Sequence, residues 1–261
     1  MENASLKKIE QAILGFEQKH LFLPAWYSIL FNPYFISRSH LRDKIRAFAT
    51  SLGGSKRILD VGCGSKPYAS YFASHEYVGL EVEVSGHRDS DKKADFYFDG
   101  TSIPFDDGIF DIVMSSQVLE HAEHIDVLLA EIRRVLRPGG LFFITMPFAW
   151  PEHEEPYDFR RYTRFGHWQQ LEKSGFESIS LQSTSGAFGT TGQLLSDFLM
   201  KDVVAMCEVV PSEYRYRVRF VVERLCAFVL CFPIQLIALS FDALFLKKGI
   251  TLDYVILSVK K

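Results

Sequence analysis

The stretch RILDVGCGSKPY, Arg57–Tyr68, decides the fold of this chain. Ile58–Val61 is a short, mostly apolar run, which is typical of a buried parallel strand. Gly62 and Gly64 follow it, and glycine allows backbone conformations that a Cβ forbids and lets a ligand approach the main chain. A strand that ends in such a turn before a helix is the usual cradle for a nucleotide-like cofactor in an open α/β sheet.

The turn argues against two cofactor classes. Pro67 stands where the dinucleotide pattern G-x-G-x-x-G needs its third glycine, so NAD and FAD are disfavoured. The turn also lacks the G-K-[ST] sequence of a phosphate-binding P-loop. A glycine-rich turn without any ligand is the alternative, and the turn by itself leaves both interpretations open.

Strands and helices alternate around this turn. Further strands are predicted at Tyr77–Leu80, Ala94–Phe98, Phe110–Met114, Leu141–Met146, Phe176–Ser183 and Leu252–Val259. Helical spacing of apolar residues runs from Ile125 to Leu136, and the sequence Pro138-Gly139-Gly140 is expected to end that helix with a glycine cap. This alternation predicts an α/β fold with a doubly wound, mostly parallel seven-stranded sheet.

A set of short motifs supports a family resemblance. In chain order they are Leu59–Gly64, Glu81, Asp99-Gly100, Ile103–Phe105, Phe110–Val113, Val118–His121 and Arg134–Gly140. On these motifs the chain resembles the class I S-adenosylmethionine-dependent methyltransferases over about residues 55–184.

The resemblance implies S-adenosylmethionine as cofactor and assigns its contacts. The implied cofactor-binding residues are Asp60, Gly62, Cys63, Gly64, Glu81, Asp99, Gly100, Ser115, Ser116 and Gln117. Asp60 would anchor the ammonium group of the methionine, Glu81 the ribose hydroxyls and Asp99 the adenine amino group. Cys63 is expected to be a small buried filler of the turn and not a nucleophile.

The acceptor side is expected after the fifth strand, in the segment Met146–Gly166. A hydroxyl or amine acceptor often needs a base, and the candidate catalytic residues are His153, His121, Asp158 and Tyr162. The run His153–Thr163 resembles a motif of methyltransferases encoded with bacterial surface-glycan machinery. A purely structural loop is the alternative, held by an ion pair between Asp158 and Arg161 and followed by a helix that Thr163 caps. The spacing of His121, His124, His153 and Asp158 matches no metal-ligand pattern, so no metal is expected.

Composition bounds the remaining possibilities. The 261-residue chain has a net charge of −3 and lacks a basic block, so a nucleic-acid partner is disfavoured. Its four cysteines show no zinc spacing and no disulfide-rich density, which fits a reducing cytoplasm. Residues 1–16 read as the start of an amphipathic helix without the apolar core of a signal peptide.

The pattern predicts four segments. Residues 1–54 are expected to form N-terminal helices, which either cover the cofactor or pack on the sheet. Residues 55–184 are expected to form the cofactor-binding core, residues 185–250 a helical insert, and residues 251–261 the last strand of the sheet. The insert contains the uncharged run Leu225–Phe241, with arginines before it and Lys247-Lys248 after it. A single membrane crossing is disfavoured, because the last strand must return to the sheet. Peripheral contact of residues 215–248 with the inner face of the membrane is preferred over a dimer surface or a buried helix.

Three functions are consistent with these residues. The preferred one is O-methylation of a saccharide hydroxyl, in a small molecule or in a lipid-linked glycan precursor. The second is methylation of a small apolar acceptor such as a quinone or a lipid. The third is a non-catalytic relative that binds the cofactor or a partner.

Overall fold

The computed structural model describes residues 20–83, 92–245 and 249–261. The chain divides into two compact units, residues 1–43 with 185–251 and residues 44–184 with 252–261, which are called the helical unit and the sheet unit below. The helix predicted at residues 1–16 and the pair Lys247-Lys248 lie outside the described residues.

The sheet unit contains a seven-stranded sheet with the order β3-β2-β1-β4-β5-β7-β6. Its strands are β1 (Arg57–Val61), β2 (Glu76–Val82), β3 (Phe96–Phe98), β4 (Phe110–Ser116), β5 (Leu136–Pro147), β6 (Phe176–Ser183) and β7 (Asp253–Lys260). Strands β1 to β5 pair in parallel, whereas β7 is antiparallel to both β5 and β6. The predicted fold class is confirmed, and six of the seven strands begin within two residues of their predicted start, whereas β5 begins at Leu136 and not at the predicted Leu141.

The strand register gathers the motifs at one edge of the sheet. Asp60 of β1 lies beside Gly79 of β2 and Met114 of β4, so these three strands end at the same level. The turn after β1, Glu81 and the segment after β4 therefore share the carboxyl edge, which is where parallel sheets bind ligands.

The helices of the sheet unit cover the sheet with apolar faces. They are the second half of α1 (Phe35–Ser51, of which residues 44–51 belong to this unit), α2 (Ile125–Val135) and α3 (Arg164–Lys173), and a 3-10 turn spans Ala69–Phe72. Leu128 and Ile132 of α2 are buried in the main core together with Val113 of β4. Helix α3 begins as predicted, because the Thr163 side chain accepts a hydrogen bond from the backbone nitrogen of Gly166 at 3.2 Å.

The structure contradicts the prediction that Pro138-Gly139-Gly140 ends α2. The helix ends at Val135, because Leu136 already has an extended backbone and pairs with Phe110 as the first residue of β5. Gly139 has a φ of +71°, but it lies in an irregularity of β5 and does not cap the helix. Strand pairing to β4 therefore ended the helix before the Pro-Gly-Gly sequence was reached.

The helical unit contains an antiparallel helix pair. Besides 3-10 turns at Trp26–Leu30 and Cys207–Val209, its elements are α4 (Ala187–Met206), α5 (Ser212–Cys226), a π-helical turn (Ala227–Cys231) and α6 (Phe232–Leu244). Gly192 of α4 lies against Ala238 of α6 so closely that a Cβ at Gly192 would be 2.4 Å from the Ala238 methyl. Its lack of a side chain therefore lets the two helices approach closely.

Two buried glutamines attach this pair to the beginning of α1 within the helical unit. Gln235 of α6 accepts a hydrogen bond from the backbone nitrogen of Ile36 at 3.3 Å and donates one to the carbonyl of Asn32 at 3.1 Å. Gln193 of α4 accepts one from the nitrogen of Ser37 at 3.1 Å and donates one to the carbonyl of Pro33 at 2.9 Å. Both amides thus accept from N–H groups that the first turn of a helix leaves unpaired, and they also bind carbonyls just before the helix.

The apolar run of the insert belongs to a longer helix than its sequence indicates. Within the described residues, Ser212–Leu244 form one continuous helix of 33 residues that is long and apolar enough to cross a membrane by length and composition alone. Core helices of soluble proteins meet the same criteria, and about a third of its most apolar window is buried.

Candidate active site

The turn after β1 has the backbone that its glycines predict. Gly62 has a φ of +77°, and a Cβ there would lie 2.3 Å from the side chain of Val118, so both conformation and space require glycine. Gly64 has a φ of +50°, and a Cβ there would have no described atom within 4 Å. The main chain at Gly64 is therefore open to a ligand.

Glu81 is tied to this turn. Its Oε2 accepts the backbone N–H of Gly64 at 2.7 Å, and its Oε1 accepts that of Val82 at 3.0 Å. The residue is only 5 % exposed. The carboxylate thus lies at the turn, where it can also accept hydrogen bonds from paired hydroxyls.

Asp60 lies beneath the turn and is almost fully buried. Burial raises its pKa to about 7, although a hydrogen bond from the Tyr77 hydroxyl acts in the opposite direction. A cationic group beside Asp60 would favour the ionised form, which is what an ammonium anchor needs. Cys63 is a buried thiol whose pKa is raised by burial, which agrees with a filler and not with a reactive thiolate.

The other predicted cofactor residues follow β3 and β4. The Oδ1 atom of Asp99, beside Gly100, accepts hydrogen bonds from the backbone nitrogens of Thr101 and Ser102 at 2.8 and 2.9 Å, so this carboxylate also shapes its own turn. Gln117 has a φ of +59° and donates to Thr145 Oγ1 at 3.2 Å. Ser115 and Ser116 precede it, and the buried Ser115 hydroxyl has no hydrogen-bond partner among the described residues.

The two predicted histidines of the acceptor side meet. His121 follows β4, His153 follows β5, and their rings form an edge-to-face pair with centroids 4.8 Å apart. Burial and the neighbouring His121 lower the pKa of His153, which favours the neutral imidazole. A neutral imidazole is able to take a proton from an acceptor.

The side chain of Asp158 contacts His153. Its Oδ2 accepts the His153 backbone N–H at 3.0 Å and lies 3.2 Å from the ring atom Nδ1. The predicted ion pair with Arg161 is present and bidentate, with N–O distances of 2.5 and 2.8 Å. Tyr162 has a different place, because its ring packs edge-to-face on His167 with centroids 5.4 Å apart. Asp158 thus contacts both the backbone and the ring of His153, whereas Tyr162 packs against the main core.

Sequence reasoning gave no role to two residues that shape this site. Glu120 is fully buried next to His121, and burial raises its pKa to about 8. Arg160 donates from its guanidinium to the carbonyls of Leu119, Ala122 and Glu123, which fixes the loop after β4. The position of Glu120 directly before a histidine, just after a strand, was the available signal.

Comparison with known proteins agrees with this arrangement. Residues 59–144 match a family described as methyltransferase domain. Over 117 residues the chain is 36 % identical to a phthiotriol/phenolphthiotriol dimycocerosates methyltransferase of Mycobacterium tuberculosis, covering 41 % of this chain and 43 % of that protein. Over 100 residues it is 37 % identical to a fatty-acid O-methyltransferase of Mycolicibacterium smegmatis, covering 34 % and 36 %. The chain spans less than half the length of these curated relatives.

A solved structure extends the comparison to the fold. The [4+2]-cyclase SpnF superposes with a TM-score of 0.53 at 21 % identity, covering 86 % of this chain and 81 % of that one. At this identity the likeness concerns the fold alone. Four observations agree: the glycine turn, the acidic residue at the end of β2, the strand order and the family match. They show that the chain contains a class I S-adenosylmethionine-dependent methyltransferase domain.

Proposed function

We propose that the protein transfers the methyl group of S-adenosylmethionine to a hydroxyl oxygen of a lipid-linked acceptor, in the first place a saccharide of a glycan precursor. The observation that carries this proposal is the pairing of His121 and His153 at the carboxyl edge of the sheet, the edge that also bears the cofactor turn. The cofactor already activates its methyl group, so the protein has to position the acceptor and remove its proton.

The surroundings of His153 suit proton removal from a hydroxyl. Its Nδ1 lies 3.2 Å from Asp158 Oδ2 and 3.2 Å from the carbonyl of Pro151, and both are hydrogen-bond acceptors. The nearest donor, Nη2 of Arg161, is farther away at 3.4 Å. Nδ1 therefore carries the hydrogen, and Nε2 keeps the lone pair that a base requires.

Two observations favour a lipid-linked acceptor. The relatives named above are methyltransferases of lipids by their names. In the helical unit, Leu225, Phe228 and Val229 are each more than half exposed. Apolar side chains exposed side by side on one helix favour contact with lipid.

We propose that this helix attaches the protein peripherally to the inner face of the membrane. The antiparallel arrangement of α4 and α6 supports a hairpin that lies in the interface and returns to its own side. The basic flank contributes less than its sequence indicates, because Arg215 pairs with Glu208 and Arg219 with Glu223. Apolar contact is therefore the larger part of the expected attachment.

Liposome flotation tests the attachment. We expect the protein to float with vesicles, and a Phe228→Ser/Val229→Ser variant to remain in the soluble fraction. Phe165→Ser in α3 of the sheet unit is the matched control, because Phe165 is equally an exposed aromatic residue. Equal flotation of the double variant, or no flotation of the parent protein, would contradict the proposal.

Methyl transfer from labelled S-adenosylmethionine tests the reaction. Lipid-linked saccharides, free fatty acids and quinones are compared as acceptors, and product analysis locates the label on oxygen or on carbon. We expect an O-methyl ether on the saccharide. Faster transfer to a fatty acid or a quinone would favour the second candidate, which the relatives' names support. Cofactor binding without transfer to any acceptor would indicate a non-catalytic relative.

A further inference from the structure

Three ionisable side chains converge in the candidate active site. Glu120 and His121 follow β4, and His153 follows β5. One ligand atom from each of the three lies within 4.8 Å of those of the other two. All three belong to the sheet unit, and the two histidines are the pair described above.

The hydrogen bonds of His121 determine which ring nitrogen is available. Its Nδ1 lies 2.9 Å from the carbonyl oxygen of Tyr157, which can only accept, so Nδ1 carries the hydrogen. In the neutral ring Nε2 then has the lone pair, and this buried atom has no hydrogen-bond partner among the described residues. It faces carboxylate oxygens of Glu120 at 3.7 Å and Glu154 at 3.9 Å.

Glu120 is the most unusual member of the cluster. It is fully buried, and neither of its carboxylate oxygens has a hydrogen-bond partner among the described residues. Arg161 acts on it as a cation, whereas Asp158 and Asp253 add negative charge. A buried carboxylate without a donor costs several kcal/mol unless a cation offsets it.

In their deprotonated forms these three side chains thus bring three acceptor atoms together. Two imidazole nitrogens and one carboxylate, with a second carboxylate nearby, are the ligand types that Zn²⁺, Mn²⁺ and Fe²⁺ prefer. Each histidine also directs its other nitrogen to an oxygen acceptor, His121 to the Tyr157 carbonyl and His153 to Asp158. This orientation is the usual one for histidines that bind a metal.

We propose that Glu120, His121 and His153 bind one divalent transition-metal ion. Ligand atoms around such an ion are about 3–3.5 Å apart, so the side chains need to close by up to about 1.5 Å from the present 4.8 Å limit. With three protein ligands the ion retains an open position, and Glu154 is placed to become a fourth ligand or to bind a coordinated water. Resting on the proposed function, the acceptor hydroxyl would occupy the open position, where the ion lowers its pKa. His153 Nε2 would then bind the ion and not the proton, which would pass to Glu154 or to solvent.

Metal binding is measured directly on the full chain. After removal of metals with a chelator, calorimetric titration with Mn²⁺ and with Zn²⁺ is expected to show one ion per chain. Co²⁺ is expected to give visible d–d bands that report nitrogen and oxygen ligands. Glu120→Gln and His121→Ala should each weaken binding by at least about 100-fold.

His124→Ala is the matched control, since His124 is an exposed histidine three residues from His121 and outside the cluster. His153→Ala, on a half-buried loop position, is the second variant if changes at the buried Glu120 prevent folding. Binding of S-adenosylmethionine, which uses the turn after β1, reports folding of each variant.

Several results would overturn the metal site. Among them are titrations without binding and affinities that remain unchanged in His121→Ala and His153→Ala. A loss in His124→Ala equal to that in His121→Ala would do so as well. Methyl transfer to a hydroxyl by the metal-free protein would refute the role of the ion and leave the proposed function intact. Stoichiometric metal binding without any O-methylation would refute the proposed function and leave the site intact.

Discussion

The Oε2 atom of Glu81 lies 2.7 Å from the backbone nitrogen of Gly64, and this hydrogen bond joins the end of β2 to the turn after β1. The contact fixes the carboxylate beside the open main chain of Gly64. A cofactor that binds over the turn therefore meets a carboxylate that is already oriented.

Glu81→Ala is expected to weaken S-adenosylmethionine binding by about 1–3 kcal/mol, because charge-assisted hydrogen bonds to the ribose are lost. Glu81→Gln is the control, since an amide oxygen can still accept the Gly64 N–H and should lose less affinity. Titration calorimetry measures both variants. Unchanged affinity in Glu81→Ala would refute the ribose assignment.

His153→Ala is expected to lower turnover by about 100-fold to 10,000-fold, because the acceptor proton is no longer removed by a positioned group. Cofactor affinity should stay nearly unchanged, since His153 follows β5 and the turn follows β1. Steady-state kinetics and calorimetry separate the two effects, and His124→Ala provides a matched histidine change. An equal loss of cofactor binding would show that His153 does not act on the acceptor side.

Gln235→Leu is expected to destabilise the helical unit by about 1–3 kcal/mol. The change leaves the carbonyl of Asn32 and the N–H of Ile36 without the partner that they have in the native protein. Denaturant unfolding followed by circular dichroism measures the effect. Leu236→Gln is the control, because Leu236 is the next residue and is half exposed. A Gln235→Leu variant as stable as the parent would contradict the capping role.

The contribution of His167 to stability is expected to fall between pH 6.5 and pH 4. Burial lowers the pKa of this histidine from 6.5 to about 4 in the folded protein, so protonation favours the unfolded chain. The contribution is complete above pH 6.5, and about 2 kcal/mol of it is lost at pH 5.

His167→Phe tests this contribution, since a phenyl ring preserves the contact with Tyr162 and cannot be protonated. Unfolding free energies of both proteins are compared at pH 7.5 and pH 5. The variant should lose about 2 kcal/mol less than the parent between these pH values. The same pH dependence in both proteins would contradict the assignment.

Local sequence predicted most of the sheet unit. Apolar runs indicated all seven strands, and they are most informative for β1, β4, β5 and β7, which are buried along most of their length. The end of α2 shows the limit of this reasoning. The Pro138-Gly139-Gly140 sequence does break a helix, but the extended backbone begins two residues before it, because Leu136 pairs with Phe110. A long-range hydrogen-bond ladder therefore decided the boundary.

The candidate site was predicted only in part for a similar reason. His121 and His153 were identified by residue type, but their pairing depends on β4 and β5 being neighbours in the sheet. Glu120 received no role, because its sequence does not reveal that both carboxylate oxygens are buried without a donor.

The sequence by itself determined the cofactor turn, since glycines, apolar strands and an acidic strand end act through local conformation. Only the tertiary structure decided the place of Gln235, which looks like a polar interruption of an apolar run. It pairs with Asn32 and Ile36, about 200 residues away along the chain. The physical reason is that backbone conformation and apolar period are local properties, whereas the partner of a buried polar group is set by which distant segments pack together.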